Sequence, residues 1–376
     1  MYLTDFIDPG QSRGERYPVR LTQCGHCTLL QLGDIVPREA VIHERYGFKS
    51  GVNEAEVADL AAIAGYALGQ VPKPRRWLDI GCNDGTLLSA VPLGAYRTGI
   101  DPVAKFAADA REHANRVVTA WFDPSWFGHG EFDVVTSAAV LYALEDPGKF
   151  AEGVRQVLAR DGVWVIQVNY ALDMLRKNVV DNVFHEHVTY WTVRSLSALL
   201  EPRGLEISDV TYSPVKGGCI RVAVSHRGAR PVSASVEEAL LRETVTHAGC
   251  PEIWQAWGEA VRAELAKTRE FAVAATARGE RVYVYGASTR GGTFLQMIGA
   301  GPDLFPFAVE RYAPKVGKVM ASTGIPIISE EQMRADPPEY LLISPWPFRA
   351  VFLERERAYL DAGHHMIFPL PVFEVV

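Results

Sequence analysis

Two stretches, W-L-D-I-G-C-N-D-G at residues 77–85 and Y-V-Y-G-A-S-T-R-G-G-T at 283–293, each run a short apolar strand into a glycine-rich turn and then into a helical pattern. That succession is the first corner of a β-α-β unit, and it commits the chain to open, mostly parallel sheets with helices on their faces. After the first corner, the runs R-T-G-I-D, F-D-V-V-T-S and G-V-W-V-I-Q-V alternate with helical patterns near 103–114 and 147–159. After the second, F-P-F-A-V-E, Y-L-L-I-S-P-W and H-M-I-F-P-L-P keep the same rhythm. The expected class is α/β, with two nucleotide-fold-like units.

What lies outside the two units suggests their boundaries. Residues 1–52 lack strong helical period and carry the cysteine pair C-G-H-C, whereas 54–69 repeat apolar residues at helical spacing. Residues 186–278 interrupt the alternation with a helix around Ser195–Leu200, a strand at I-R-V-A-V-S and a Trp-containing helical stretch. The expected organisation is a cap over 1–52, a first α/β domain over 53–185, a middle substrate region over 186–278 and a second α/β domain over 279–376.

Composition narrows the function. With 48% apolar and 22% charged residues the chain reads as a globular enzyme, and a net charge of -7 offers no footprint for nucleic acid. No run approaches the apolar length of a membrane span, and M-Y-L-T-D-F-I-D-P-G lacks the basic and apolar regions of a secretory leader. A cytoplasmic enzyme acting on a small molecule is expected. The cysteines at 24, 27, 82, 219 and 250 are odd in number and scattered, which fits reduced thiols better than a disulfide framework.

In the first turn Gly81 and Gly85 allow backbone to approach a ligand, but Asn83 and Thr86 stand where a dinucleotide fingerprint needs glycine, so NAD is disfavoured. Asp79 ends the strand and Asp101 lies 22 residues on, placed to accept hydrogen bonds from ribose hydroxyls. Carboxylates here suit S-adenosylmethionine, which brings an ammonium, a sulfonium and a free ribose. They would repel a pyrophosphate. Trp121 and Phe122 are expected to flank the adenine and Asp123 to hydrogen-bond it.

The second turn nearly spells a phosphate loop, but Gly292 occupies the lysine position, which removes an ATPase reading. Its amides, with Ser288, Thr289 and Arg290, are candidates to hold the diphosphate of a nucleotide-linked substrate. Cys24 and Cys27 have the spacing of one zinc knuckle, a site that needs two further ligands, with His26 and His43 as candidates. In D-N-V-F-H-E-H-V-T-Y-W, residues 181–191, two histidines flank a carboxylate. Three readings stay open for it: a metal pair, with His185 and His187 on one side of an extended segment; an acid/base site; or polar packing.

Taken in order, Y-P-V-R-L-T-Q-C-G-H-C-T-L-L-Q-L, D-I-G-C-N-D-G-T-L-L, F-H-E-H, G-L-E-I-S-D-V, K-G-G-C-I-R, Y-G-A-S-T-R-G-G-T, V-E-R-Y-A-P-K-V-G-K and G-I-P-I-I span nearly the whole chain. The chain resembles the S-adenosylmethionine-dependent C-methyltransferases of nucleotide-linked 4-keto-deoxyhexoses. The resemblance implies a zinc-knuckle cap, a class I methyltransferase Rossmann-like central domain and a second Rossmann-like domain that helps hold the nucleotide sugar. It also shows departures. The cap's other cysteine pair is missing, which leaves the zinc site of Cys24 and Cys27 incomplete. Ala139 and Ala143 replace Asn and His, Phe184 replaces Tyr, and Lys216 replaces His.

Within that reading His187 is the candidate base that removes an α proton, and Glu186 orients it or holds a substrate hydroxyl. Lys216 is the candidate electrostatic partner of the enolate oxygen or a phosphate ligand, and Tyr142 a candidate substitute for the missing tyrosine or histidine, or an aromatic shelf. Phe184, His185, Gly217, Gly218 and Arg221 are expected to line the substrate. Methyl transfer to oxygen or nitrogen, and a catalytically silent binding homologue, are the competing readings.

Overall fold

The computed structural model describes residues 1–42 and 47–376, the side chain of Arg38 excepted. The chain forms two compact units: Leu21–Asp173 with Glu186–Cys250, and Met1–Arg20 with Met174–His185 and Pro251–Val376.

The first unit is built on a seven-stranded sheet. Its strands are β1 (Arg76–Ile80), β2 (Tyr96–Ile100), β3 (Arg116–Val118), β4 (Phe132–Ala138), β5 (Leu158–Asn169), β6 (Leu205–Ser213) and β7 (Cys219–His226), in the order β6-β7-β5-β4-β1-β2-β3. β1 to β5 pair in parallel, while β7 runs antiparallel to both β5 and β6. After β3 the chain crosses back to the other side of β1, so the C-terminal ends of β1 and β4 form a switch point, where sheets of this kind open a crevice for ligands.

The central strands read as nearly unbroken apolar runs because both faces are covered. Trp77, Leu78, Val134, Val135, Trp164 and Ile166 are fully buried. The two indole N–H groups donate to hydroxyls inside the core, Trp77 to Thr136 Oγ1 at 3.0 Å and Trp164 to Ser137 Oγ at 2.9 Å, so neither is buried unpaired. Helix α1 (Glu54–Gln70) starts at Asn53, whose side chain accepts from the Ala55 amide at 2.9 Å. It buries Leu60, Ile63, Ala64 and Ala67, an alanine-rich stripe that permits close approach to its neighbours. Truncating Ile63 to Ala would cost about 2–5 kcal/mol. A small antiparallel sheet, Leu21–Gln23, Leu30–Leu32 and Thr189–Tyr190, completes the unit and carries Cys24 and Cys27 in its first turn.

The second unit has a six-stranded sheet of β8 (Val282–Tyr285), β9 (Ala308–Glu310), β10 (Ile327–Ser329), β11 (Tyr340–Ile343), β12 (His365–Phe368) and β13 (Glu374–Val375), ordered β10-β9-β8-β11-β12-β13. All pairs are parallel except the last. This is again a Rossmann-like order, with β8 between the two directions of winding. The 27-residue helix Pro251–Ala277 belongs to this unit.

The expected cap and middle region do not stand as separate pieces. Phe6–Ile7 pairs with Val319–Met320, and Arg13 donates to the carbonyls of Ala321 and Ser322 at 2.7 Å each, which places residues 1–20 in the second unit. Residues 205–226 are two strands of the first sheet, and the helix that ends the expected middle region falls in the second unit. Periodicity shows that a segment is a strand, but not which strand it pairs with, and Arg13 lies 308 residues from its partner Ala321. Among the described residues no helix is long and apolar enough to cross a membrane.

Candidate active site

Beyond β1 the backbone turns through Gly81 (φ +75°), Asn83 (φ +48°) and Gly85 (φ +81°). A Cβ on Gly81 would lie 2.5 Å from Val140 Cγ2, and one on Gly85 2.9 Å from Ala110 Cα, so both positions demand glycine for space as well as for torsion. Asp79 is buried and accepts from Thr136 Oγ1 at 2.7 Å. Burial, and secondarily the neighbouring Asp101, push its carboxyl up to about 7, with the Thr136 bond working in the opposite sense. Asp101 follows β2 and accepts the amides of Asn83 at 2.9 Å and Val103 at 2.8 Å, while burial raises its pKa. Two desolvated carboxylates beside a glycine cradle form a site that gains by taking in a positive charge. S-adenosylmethionine meets that requirement.

Asn83 has a role the sequence did not indicate. Its Oδ1 accepts the Ser50 amide at 3.1 Å and its Nδ2 donates to Phe48 O at 3.1 Å, while Asp84 Oδ2 accepts the Gly51 amide at 2.8 Å. The side chains of the turn thus hold residues 48–51 against it. The local cue was D-G-T, since Thr86 Oγ1 donates to Asp84 Oδ1 at 2.6 Å. Phe122, expected to flank the adenine, is half-buried, edge-on to Phe150 at 5.2 Å and stacked on Phe127 at 6.3 Å. Asp123 caps Pro124–Trp126 by accepting the Ser125 amide at 2.8 Å, and that bonding lowers its pKa. Trp121 is half-buried.

His187 is buried, and its ring centroid lies 3.9 Å from that of Tyr142, the planes tilted by 44°. The contact follows from backbone bonding, because the Val188 amide donates to Tyr142 O at 2.7 Å and Tyr190 Oη donates to His187 O at 2.7 Å. His185 goes elsewhere. Residues 184–186 turn rather than extend, and the division between the two units falls between His185 and Glu186. His185 is buried against Tyr17, with Nε2 3.4 Å from Tyr17 O, and burial lowers its pKa. The extended metal pair of His185 and His187, one of the three readings left open for this segment, is therefore not formed among the described residues.

The family model for a methyltransferase domain matches residues 53–210, and that for a C-methyltransferase C-terminal domain matches 214–371. The C-methyltransferase NovU of Streptomyces niveus is 26% identical over 379 residues, which cover 98% of this chain and 90% of NovU. The chain belongs to the C-methyltransferase family. It is an S-adenosylmethionine-dependent methyltransferase, and its first unit has the class I methyltransferase fold. Among solved structures, the 1,6-didemethyltoxoflavin-N1-methyltransferase of Burkholderia thailandensis, with bound S-adenosylhomocysteine, is 18% identical, covers 55% of this chain and 98% of its own, and has a TM-score of 0.39. YcgJ of Bacillus subtilis is 16% identical, covers 44% and 98%, and has a TM-score of 0.37.

In this C-methyltransferase Lys216 sits at φ +53°, followed by Gly217 at +89° and Gly218 at +126°. A Cβ on Gly218 would come 2.0 Å from Asp173 Oδ2. The Lys216 ammonium donates to Glu56 Oε1 at 2.7 Å and lies 5.5 Å from the Phe48 ring centre. Arg221 departs from the expected substrate contact: it is buried, donates to Gln167 Oε1 at 2.9 and 2.7 Å, and pairs with Asp59 Oδ1 at 3.1 Å. Ser213 Oγ adds a bond to the same Asp59 oxygen at 2.8 Å. This closed network ties α1 to β5, β6 and β7. The sequence showed Arg221 on a strand but not that Asp59 faces it.

Much of the second glycine turn's polarity is spent within its own unit. Ser288 Oγ accepts the Gly291 amide at 3.0 Å and lies 3.0 Å from Ser344 Oγ. Arg290 pairs with Asp181 at 2.8 Å, and burial raises the pKa of that carboxyl. Thr289 is half-buried in the same turn. Phe184 is buried.

Cys24 and Cys27 lie in a tight turn in which the Cys24 amide donates to Leu29 O at 2.8 Å and the Thr28 amide to Cys24 O at 3.0 Å. Hydrogen bonds from the Cys27 and His26 backbone lower the pKa of Cys24, whereas burial raises that of Cys27. Among the described residues no group of three or more His, Cys, Asp or Glu side chains forms a metal site, so within them the pair lacks the four ligands of a closed zinc centre. His43 lies outside the described residues.

Proposed function

We propose that this enzyme methylates a ring carbon next to the ketone of a nucleotide-linked keto-deoxysugar, by way of an enolate. The observation that supports this reading is the packing of His187 on Tyr142 in the unit that carries the cofactor turn, together with the match to a C-methyltransferase along 98% of the chain. Forming a carbon–carbon bond requires a base to make carbon nucleophilic. An imidazole packed on a ring, on a segment whose backbone is tied to that ring's own segment, suits that task.

In this reading Asp79, Asp101, Gly81, Gly85 and Asn83 hold S-adenosylmethionine, and Trp121 stands beside its adenine. When bound, the cofactor supplies an electrophilic methyl group on sulfur. His187 takes the α proton, with Tyr142 fixing the plane of its ring. Glu186 accepts a sugar hydroxyl. The Lys216 ammonium, anchored by its 2.7 Å hydrogen bond to Glu56 Oε1, stabilises the enolate oxygen as negative charge develops. Ser288, Thr289 and Arg290 are the candidates for contact with the diphosphate.

The test is incubation with S-adenosylmethionine and a panel of nucleotide 4-keto sugars in deuterated buffer, read by mass spectrometry. A product heavier by one methylene, and washout of the α hydrogen that is lost in His187→Asn, are expected. A methyl found on oxygen or nitrogen with no washout would replace carbon transfer by heteroatom transfer. Failure of the folded protein to bind the cofactor by calorimetry would leave a silent homologue.

A further inference from the structure

At the edge of the first sheet opposite the cofactor turn, where β4 and β5 begin and β7 ends, a groove of about 800 Å³ opens entirely within the first unit. Its volume falls in the range of about 300–1,000 Å³ that pockets for small ligands occupy. Arg155, Arg160 and Arg203 line it, as do His129, His226 and Leu158. Glu152 is the single acidic residue lining it, and Arg203 already engages that carboxylate at 3.3 Å while donating to Gly148 O at 3.0 Å and Leu199 O at 2.7 Å. His226 Nε2 lies 3.2 Å from Leu158 O.

That leaves Arg155 and Arg160. Both are exposed, and among the described residues neither has a carboxylate partner. Two guanidiniums presented to one concave surface, beside imidazoles and with the only carboxylate neutralised, form a positive site that gains by accepting a dianion. Guanidinium forks match the oxygens of a phosphate in two-point contacts. We propose that this groove binds a phosphorylated small molecule of nucleotide size, with Arg155 and Arg160 on its phosphate. None of these residues belongs to the cofactor turn, to the His187 cluster or to the second glycine turn, so the site is separate from the one that carries methyl transfer.

The experiment is calorimetric titration of the full chain, saturated with S-adenosylhomocysteine, with uridine monophosphate, uridine and inorganic phosphate in turn. Saturable binding of the monophosphate, no binding of uridine and competition by inorganic phosphate are expected. The exposed double variant Arg155→Glu/Arg160→Glu should weaken that binding by about tenfold or more, with methyltransferase activity unchanged. Hydrogen exchange should slow at 129–130 and 155–160 when the monophosphate is added. Uridine binding as tightly as its monophosphate, or no saturable binding at all, would overturn the proposal. So would equal affinity in the double variant, or affinity lost in Arg290→Ala and kept in the double variant, which would move the anion to the second glycine turn.

Discussion

The His187 imidazole packs against the ring of Tyr142, their ring centroids 3.9 Å apart and their planes tilted by 44°, and both rings belong to the unit whose sheet carries Asp79. Tyr142 lies in a short turn after β4, and the Val188 amide donating to its carbonyl ties the two segments together. The aromatic contact is thus fixed by main chain as well as by packing.

This arrangement makes the two residues separable by kinetics. His187→Asn should lower kcat and α-hydrogen exchange together, by about 10²- to 10⁴-fold, because the base itself is gone. Tyr142→Phe keeps the ring and should keep activity. Tyr142→Ala frees the imidazole and should cost about ten- to a hundredfold in kcat. Equal activity in Tyr142→Ala and the parent would remove Tyr142 from the site.

Asp79 predicts a pH dependence. Its carboxyl titrates at about 7 in the folded cofactor-free protein, well above the ordinary carboxylate value, so the folded state holds a proton that the unfolded chain has released. Stability should therefore fall as pH rises between about 4 and 7 and level off above, with a ceiling of about 4 kcal/mol from this residue. Asp79→Asn should raise the melting temperature of the cofactor-free protein at pH 8. Cofactor binding favours the ionised form, so affinity should grow with pH up to about 7, with proton release seen as a dependence of calorimetric heat on buffer. A wild type that binds equally at pH 5.5 and 8 would contradict this.

Arg221 should behave as a structural residue. Arg221→Met strands Asp59 without its cation in the interior and should cost about 3–5 kcal/mol in urea unfolding, with the KM for sugar unchanged in the folded fraction. The double variant Arg221→Met/Asp59→Leu should recover part of that loss. A raised KM with stability intact would return Arg221 to the substrate.

For Lys216 the partner is Glu56 at 2.7 Å. Lys216→Met should lower both stability and kcat, since it removes the ammonium and leaves Glu56 largely buried and unpaired. Adding Glu56→Gln should restore the stability and leave kcat low. Recovery of both by the second substitution would show that the lysine acts only through folding.

Much of this protein was legible along the chain. Strand-turn-helix corners at Asp79 and Tyr285 show in the sequence because each element's pattern is local, and the positive φ angles of Gly81 and Gly85 agree with glycine being required there. The ordered motifs were enough to indicate a C-methyltransferase. What the chain concealed were relations between distant residues. An arginine on an apolar strand reads as a ligand contact until Asp59 and Gln167 are seen to surround it. The aromatic neighbours of Phe122, Phe150 and Phe127, lie 28 and 5 residues away in sequence and were not visible in it. His185 and His187 read as a pair until the chain turns between them, one buried on Tyr17 and the other on Tyr142.

By itself, then, the sequence determined the strand-turn-helix elements, the two windings and the carboxylates at the first glycine turn, since these depend on residues within about one β-α unit of each other. Only the tertiary structure decided which charges are consumed in holding the fold and which remain for chemistry. Pairing is settled by burial: a charge taken out of water must find its counter-charge wherever the packed chain brings one, and that distance in space has no imprint on distance in sequence.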